Sequence, residues 1–165
     1  SNLWKGLFTM TFYQTSPQVA GCFGDDTEIH DISARPPKFS NFQFELTIWP
    51  DDDLIVASGG GYAGSTKLAD AIKQAQLSGI EFDHVEMVDG DQFYKYRKRH
   101  ASEKLPGFLW FKFIGQPGID DFGLIPAPVN LPLVVSEKAL NLLKTFNHEH
   151  LRIKDFDPGL IPANT

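Results

Sequence analysis

Ser65-Thr66-Lys67-Leu68-Ala69-Asp70-Ala71-Ile72-Lys73-Gln74-Ala75-Gln76-Leu77-Ser78-Gly79 is the stretch on which the fold reading turns. Ser65 or Thr66 can cap a helix, because a short side-chain oxygen reaches the backbone N–H groups left unpaired in a first turn. Leu68, Ala71, Ile72 and Ala75 then recur on one side, the 3.6-residue period of a half-buried helix. Gly79 supplies a stop, since glycine tolerates the left-handed backbone that closes a helix. The spacing predicts a helix over about 66–76. Both flanks read as strands: Leu54–Ala57 is short and apolar, and Phe82–Val88 follows the helix. A second stretch repeats the layout. Leu133-Val134-Val135 runs into Ser136, which caps a helix over about 137–146, and Leu151–Phe156 closes it as a strand. Glu137 sits in the first turn, where the helix dipole favours an acid. Ser65-Thr66-Lys67 matches Ser136-Glu137-Lys138, and Ile72-Lys73 matches Leu143-Lys144 at the same offset. These matches raise an internal duplication of a helix–strand unit.

Outside these units, Asn41–Trp49 alternates Phe42, Phe44, Leu46 and Ile48, the period of a strand with one buried face. Leu7–Gln14 does the same with Phe8, Met10 and Phe12. Phe108–Ile114 is apolar throughout, which suits a strand inside a sheet. Thr15–Ser40, rich in Gly, Pro, Ser and acid, reads as a long loop with at most one short strand, and Gly115–Pro132 as another loop. The expected fold is one α+β domain over 1–157, with a mixed or mainly antiparallel sheet and two principal helices. An irregular tail follows over 158–165.

A net charge of −6 and a pI near 5.3 argue against a domain built to grip phosphate backbones, so nucleic acid is not expected as a partner. Fourteen Phe supply either a large core or contact surface. Cys22 is the only cysteine, so neither an internal disulfide nor a cysteine-based zinc site is available. Gly21-Cys22-Phe23-Gly24 reads as a loop, not as the setting of a nucleophile. No run approaches the roughly 18 apolar residues of a membrane helix. The N-terminus lacks the order of a signal peptide, and Ser1-Asn2 reads as the remnant of tag cleavage. A cytoplasmic location is expected.

Several motifs carry partial chemistry. Gly59-Gly60-Gly61-Tyr62-Ala63-Gly64-Ser65-Thr66 has the glycine spacing of a phosphate-binding loop, but Ser65 stands where its lysine belongs. A plain glycine turn is the expectation. Asp121-Phe122-Gly123 imitates a kinase tripeptide with none of the remaining signature. His148-Glu149-His150 offers two imidazoles but reads as a solvated turn. Asp25–Asp31 does not fit a calcium loop, since its sixth position is not Gly. Tyr94–His100 interleaves cations and rings and reads as a solvated face open to a partner. No G-x-S-x-G elbow occurs, which weakens an enzyme reading without excluding one, and none of these motifs calls for a catalytic residue, metal or cofactor.

Leu77–Phe82, Asp120-Asp121-Phe122 and Leu133–Leu140, with Leu142-Leu143 and His150 before the last strand, resemble bacterial immunity-type proteins. These are cytoplasmic antidotes to polymorphic or contact-delivered toxins. The resemblance covers about residues 60–157. It implies an inhibitor that binds a cognate protein toxin or effector and occludes it, without catalysis. Residue type and expected exposure single out Asp51, Asp52, Asp53, Asp120 and Asp121 as an acidic face for a basic cleft, with Tyr62 and Tyr94 as anchors. Two rivals stand beside this reading. One is a small metal-dependent hydrolase or transferase using His148 and His150, and the other a secretion-system adaptor or chaperone.

Overall fold

In the computed structural model, residues 10–126 and 132–162 are described. Phe8, Ser1-Asn2, part of the 115–132 segment and the end of the tail lie outside them.

The larger sheet has seven strands in the order β8 (Ile80–Asp83), β10 (Phe108–Phe113), β7 (Gly61–Ser65), β6 (Leu54–Ser58), β2 (Gln18–Phe23), β5 (Gln43–Leu46) and β9 (Glu86–Asp89). Its neighbours are antiparallel except for two parallel pairs, β2 with β6 and β5 with β9. The smaller sheet has the order β11 (Phe122–Leu124), β12 (Leu133–Ser136), β1 (Phe12–Ser16) and β13 (Arg152–Asp155), all antiparallel. β3 (Glu28–Asp31) and β4 (Lys38–Ser40) pair as a separate hairpin. Among the described residues the α-helices are α1 (Thr66–Gln74), α2 (Tyr94–Arg99) and α3 (Glu137–Leu143). The chain is thus the α+β domain that its sequence predicts, with a mixed sheet and its two principal helices at the expected places.

Four strands of the larger sheet reproduce the whole smaller one. β8-β10-β7-β6 matches β13-β1-β12-β11 in order and direction, with α1 between β7 and β8 and α3 between β12 and β13. The registers agree residue by residue. Leu54↔Gly64, Ile55↔Ala63 and Val56↔Tyr62 correspond to Phe122↔Val135, Gly123↔Val134 and Leu124↔Leu133. Phe108↔Ser65 corresponds to Phe12↔Ser136, pairing each helix cap with the first residue of an inserted strand. Each unit therefore runs strand, hairpin, helix, strand, and its leading strand lies in the other unit's sheet. β1 sits between β12 and β13, and β10 between β7 and β8.

Both helices start as their sequences require. Ser65 Oγ accepts from Leu68 N–H at 3.2 Å, and Ser136 Oγ from Ala139 N–H at 3.1 Å. Each cap hydroxyl then donates to an aspartate at 2.6 Å, Ser65 to Asp53 and Ser136 to Asp121. Those carboxylates also accept a backbone N–H from beyond the other unit's helix. Asn147 N–H reaches Asp53 and Ser78 N–H reaches Asp121, each at 2.9 Å. The two units are tied reciprocally.

Strand alternation divides the core into two layers. Leu54, Leu68, Ile72, Phe111, Phe122, Val135 and Leu140 pack together where α1 and α3 meet both sheets. Phe42, Phe44, Leu46, Ile55, Ala57 and Phe93 fill the opposite face of the larger sheet. Burial on both faces explains the unbroken apolar run Leu54–Ala57.

Four expectations need correction. Thr15–Ser40 holds β2, β3 and β4 as well as the end of β1. Small residues hide β2 in the sequence, and a Cβ on Gly21 would overlap the Glu45 carbonyl oxygen of the neighbouring strand. Phe82–Val88 is two strands, β8 and β9, which go to opposite edges of the larger sheet. The 115–132 segment contains β11. The helices also end two to three residues early, where Gln76 takes a φ of 54° after α1 and Phe146 bonds back to Leu143 after α3.

Candidate functional site

The Asp51-Asp52-Asp53 run is a clamp on the turn that follows α3. Asp53 N–H donates to the Asn147 carbonyl at 3.1 Å, while its carboxylate accepts Asn147 N–H. Asp52 Oδ2 accepts His150 N–H at 2.8 Å, and Asp51 Oδ2 pairs with His150 Nε2 at 2.9 Å. Asp52 is only 4% exposed, its N–H donates to Gln18 Oε1, and its Oδ1 has no hydrogen-bond partner among the described residues. Burial pushes its carboxyl pKa up, against the N–H bond and charge of His150.

The expected exposure is corrected at two of these seven positions, Asp52 and Tyr62. Asp52 is buried, Asp53 is bound to Ser65 and Asn147, and Asp121 to Ser136 and Ser78. Asp120 accepts Gln116 N–H at 2.7 Å. Tyr62 is buried with its ring edge-on to Phe113, and burial pushes its phenol pKa up. Asp51 and Tyr94 are the exposed members of the seven, and Tyr94 packs under Lys98. Asp53, Asp120 and Asp121 are half-buried and commit part of their acceptor capacity to these local donors.

A groove of about 1130 Å³ opens beside this clamp. It lies where Ser16-Pro17-Gln18 carries the chain from the smaller sheet to the larger. The end of β6 and its Gly59-Gly60 turn line it, together with α2, the β3–β4 loop and the Glu149–Arg152 approach to β13. Gly59 and Gly60 have φ of 102° and 113°, which glycine adopts without strain. They form a hairpin turn into β7, so the phosphate-loop layout is interrupted by a strand.

The lining is aromatic and charged. Trp49 is 7% exposed and stacks on His100 at 4.3 Å, and Arg99 lies over the Tyr96 ring at 5.5 Å. Arg35, Arg99 and Arg152 share the lining with Asp51 and Glu149, of which Asp51 is already bonded to His150. Arg99 and Arg152 enter no ion pair among the described residues. Arg97 does not line the groove and instead anchors α2 to β9 through two bonds to Asp89, at 2.7 and 2.9 Å. Val19 and Ile32, each 56% exposed, add apolar surface.

Ligand atoms of Asp51, Glu149 and His150 lie within 4.8 Å of one another, the one such trio among the described residues. All three are exposed. His148 does not join them. Its Nδ1 bonds the Phe146 carbonyl, and it borders a separate cavity of about 10 Å³ beside Asp52. Cys22 lies in β2, not in a loop, where burial and its bond to Glu45 push the thiol pKa up, away from thiolate chemistry.

The Asp51 bond, followed by the neighbouring carboxylates, raises the His150 pKa above its ordinary 6.5. A His favoured in its charged form stabilises the fold fully below that ordinary value and loses the contribution as pH rises through the folded pKa. Stability is therefore expected to fall as pH climbs above 6.5. His150→Gln should flatten that part of a urea-midpoint profile. An unchanged slope in the variant contradicts the His150–Asp51 contact.

Sequence reasoning noticed the aromatic–cation alternation of 94–100 but not Val19, Trp49 or Arg152, which reach the groove only through long-range pairing. No protein-family model, no curated protein and no solved structure matches this chain.

Proposed function

We propose that the chain is a protein-binding module of the immunity type, neutralising a cognate bacterial toxin or effector by holding part of it in the groove. The observation that carries this reading is the groove itself. At about 1130 Å³ it exceeds the roughly 300–1,000 Å³ usual for small-ligand pockets. Trp, Tyr and Arg, the residue types that anchor protein interfaces, line it beside exposed Val19 and Ile32. The immunity-type resemblance of residues 60–157 supplies the class of partner. The acidic run contributes by shaping one end of the groove through its grip on 147–150.

Ser58 is exposed at the end of β6 and lines the groove, so Ser58→Trp fills it without entering the core. The test is co-expression with the product of a gene adjacent to this one, where that product alone is toxic to cells. Wild type should protect cells, Ser58→Trp should not, and Lys67→Trp on the exposed side of α1 should protect as wild type does. Equal protection by Ser58→Trp removes the groove from the mechanism.

The Asp51–Glu149–His150 trio favours a second reading, a metal-dependent hydrolase or transferase, although His148 takes no part. In that reading zinc titrated into the protein releases heat, and His150→Ala abolishes it.

A further inference from the structure

We infer that the segment held in the groove is an extended, acidic stretch of the partner protein, with carboxylates spaced among apolar side chains. This rests on the groove being the binding surface. Over the whole chain Asp and Glu outnumber Lys and Arg by 21 to 15, yet arginines outnumber carboxylates in the groove. One of those carboxylates, Asp51, is answered by His150. Arg99 and Arg152 are answered by no carboxylate among the described residues, and both are exposed. A guanidinium resting on a ring, as Arg99 does on Tyr96, keeps its forked donors pointed outward for a carboxylate.

The apolar part of the partner is indicated by Val19 and Ile32, side chains that stay open to water unless something covers them. An extended backbone is indicated by β13. It leaves the groove at Arg152 and is, among the described residues, the edge strand of the smaller sheet, paired on one side with β1. An added strand would turn alternate side chains to opposite faces. A nucleic acid fits less well, because the exposed aliphatic side chains of Val19 and Ile32 offer a sugar–phosphate backbone no partner, whereas the apolar side chains of a peptide cover them.

The test uses the intact chain and fluorescence anisotropy with three labelled probes: an alternating Glu-Leu peptide, an alternating Lys-Leu peptide and oligothymidylate. The Glu-Leu peptide alone should bind. Its affinity should fall at least about tenfold in Arg99→Glu and in Arg152→Glu. It should also fall as salt rises from about 50 to about 300 mM. Both arginines are exposed, so the variants should melt as wild type does. No binding of the Glu-Leu peptide, equal binding of Lys-Leu, or tighter binding of oligothymidylate overturns the inference. The groove reading fails separately. If Ser58→Trp loses protection while both arginine reversals keep it, the groove stands and the acidic segment falls.

Discussion

Gly64→Val is expected to destabilise the protein by about 3 kcal/mol, and Phe111→Val in the same chain to recover much of that loss. Gly64 is buried in β7, and a Cβ there would lie inside the ring of Phe111, which is itself 2% exposed. The other unit fills the corresponding space differently. By register, Gly64 corresponds to Val135 and Phe111 to Thr15. One unit uses no side chain and a large ring, while its counterpart uses two medium side chains. Either single substitution in the first unit breaks the match, through overpacking with Gly64→Val or a cavity with Phe111→Val. Together they imitate the second unit. Urea denaturation of the four proteins should show a favourable coupling of at least about 1 kcal/mol. Additive losses would contradict the equivalence of the two sites.

Asp121→Ala should cost about 2–3 kcal/mol, well beyond an ordinary surface substitution. Its Oδ1 accepts the Ser136 hydroxyl, and its Oδ2 accepts the Ser78 N–H and hydroxyl at 2.9 and 3.3 Å. Removing the carboxylate weakens the cap of α3 and frees the chain beyond α1 in one step. Asp53→Ala should act alike on α1 and Asn147. The amide of Ser78 should lose exchange protection in Asp121→Ala, and that of Asn147 in Asp53→Ala. A loss below about 0.5 kcal/mol, the range of a neutral surface change, would mean that these acids do not tie the units together.

What could be read from the sequence was local. Ser65 and Ser136 announce their helices because capping acts within three residues, and the apolar periods of α1 and α3 are self-contained. Their similarity hinted at a repeated unit. The strand exchange could not be read, because Phe12 pairs with Ser136 and Phe108 with Ser65 through contacts that no local period encodes. The acidic run misled for the same reason. Asp52 meets His150 across 98 positions, and that distant N–H offsets part of the cost of burying a carboxylate. The groove is assembled from segments scattered between Ser16 and Arg152, so no single motif marks it.

The most direct measurement is amide hydrogen exchange on the chain alone and in complex with the cognate toxin or effector that the proposed function calls for. Binding in the groove predicts slowed exchange at 16–19, 56–60, 96–100 and 149–152, with α1 unaffected. Protection confined to α1 and the β8 edge, with those four segments unchanged, would contradict it.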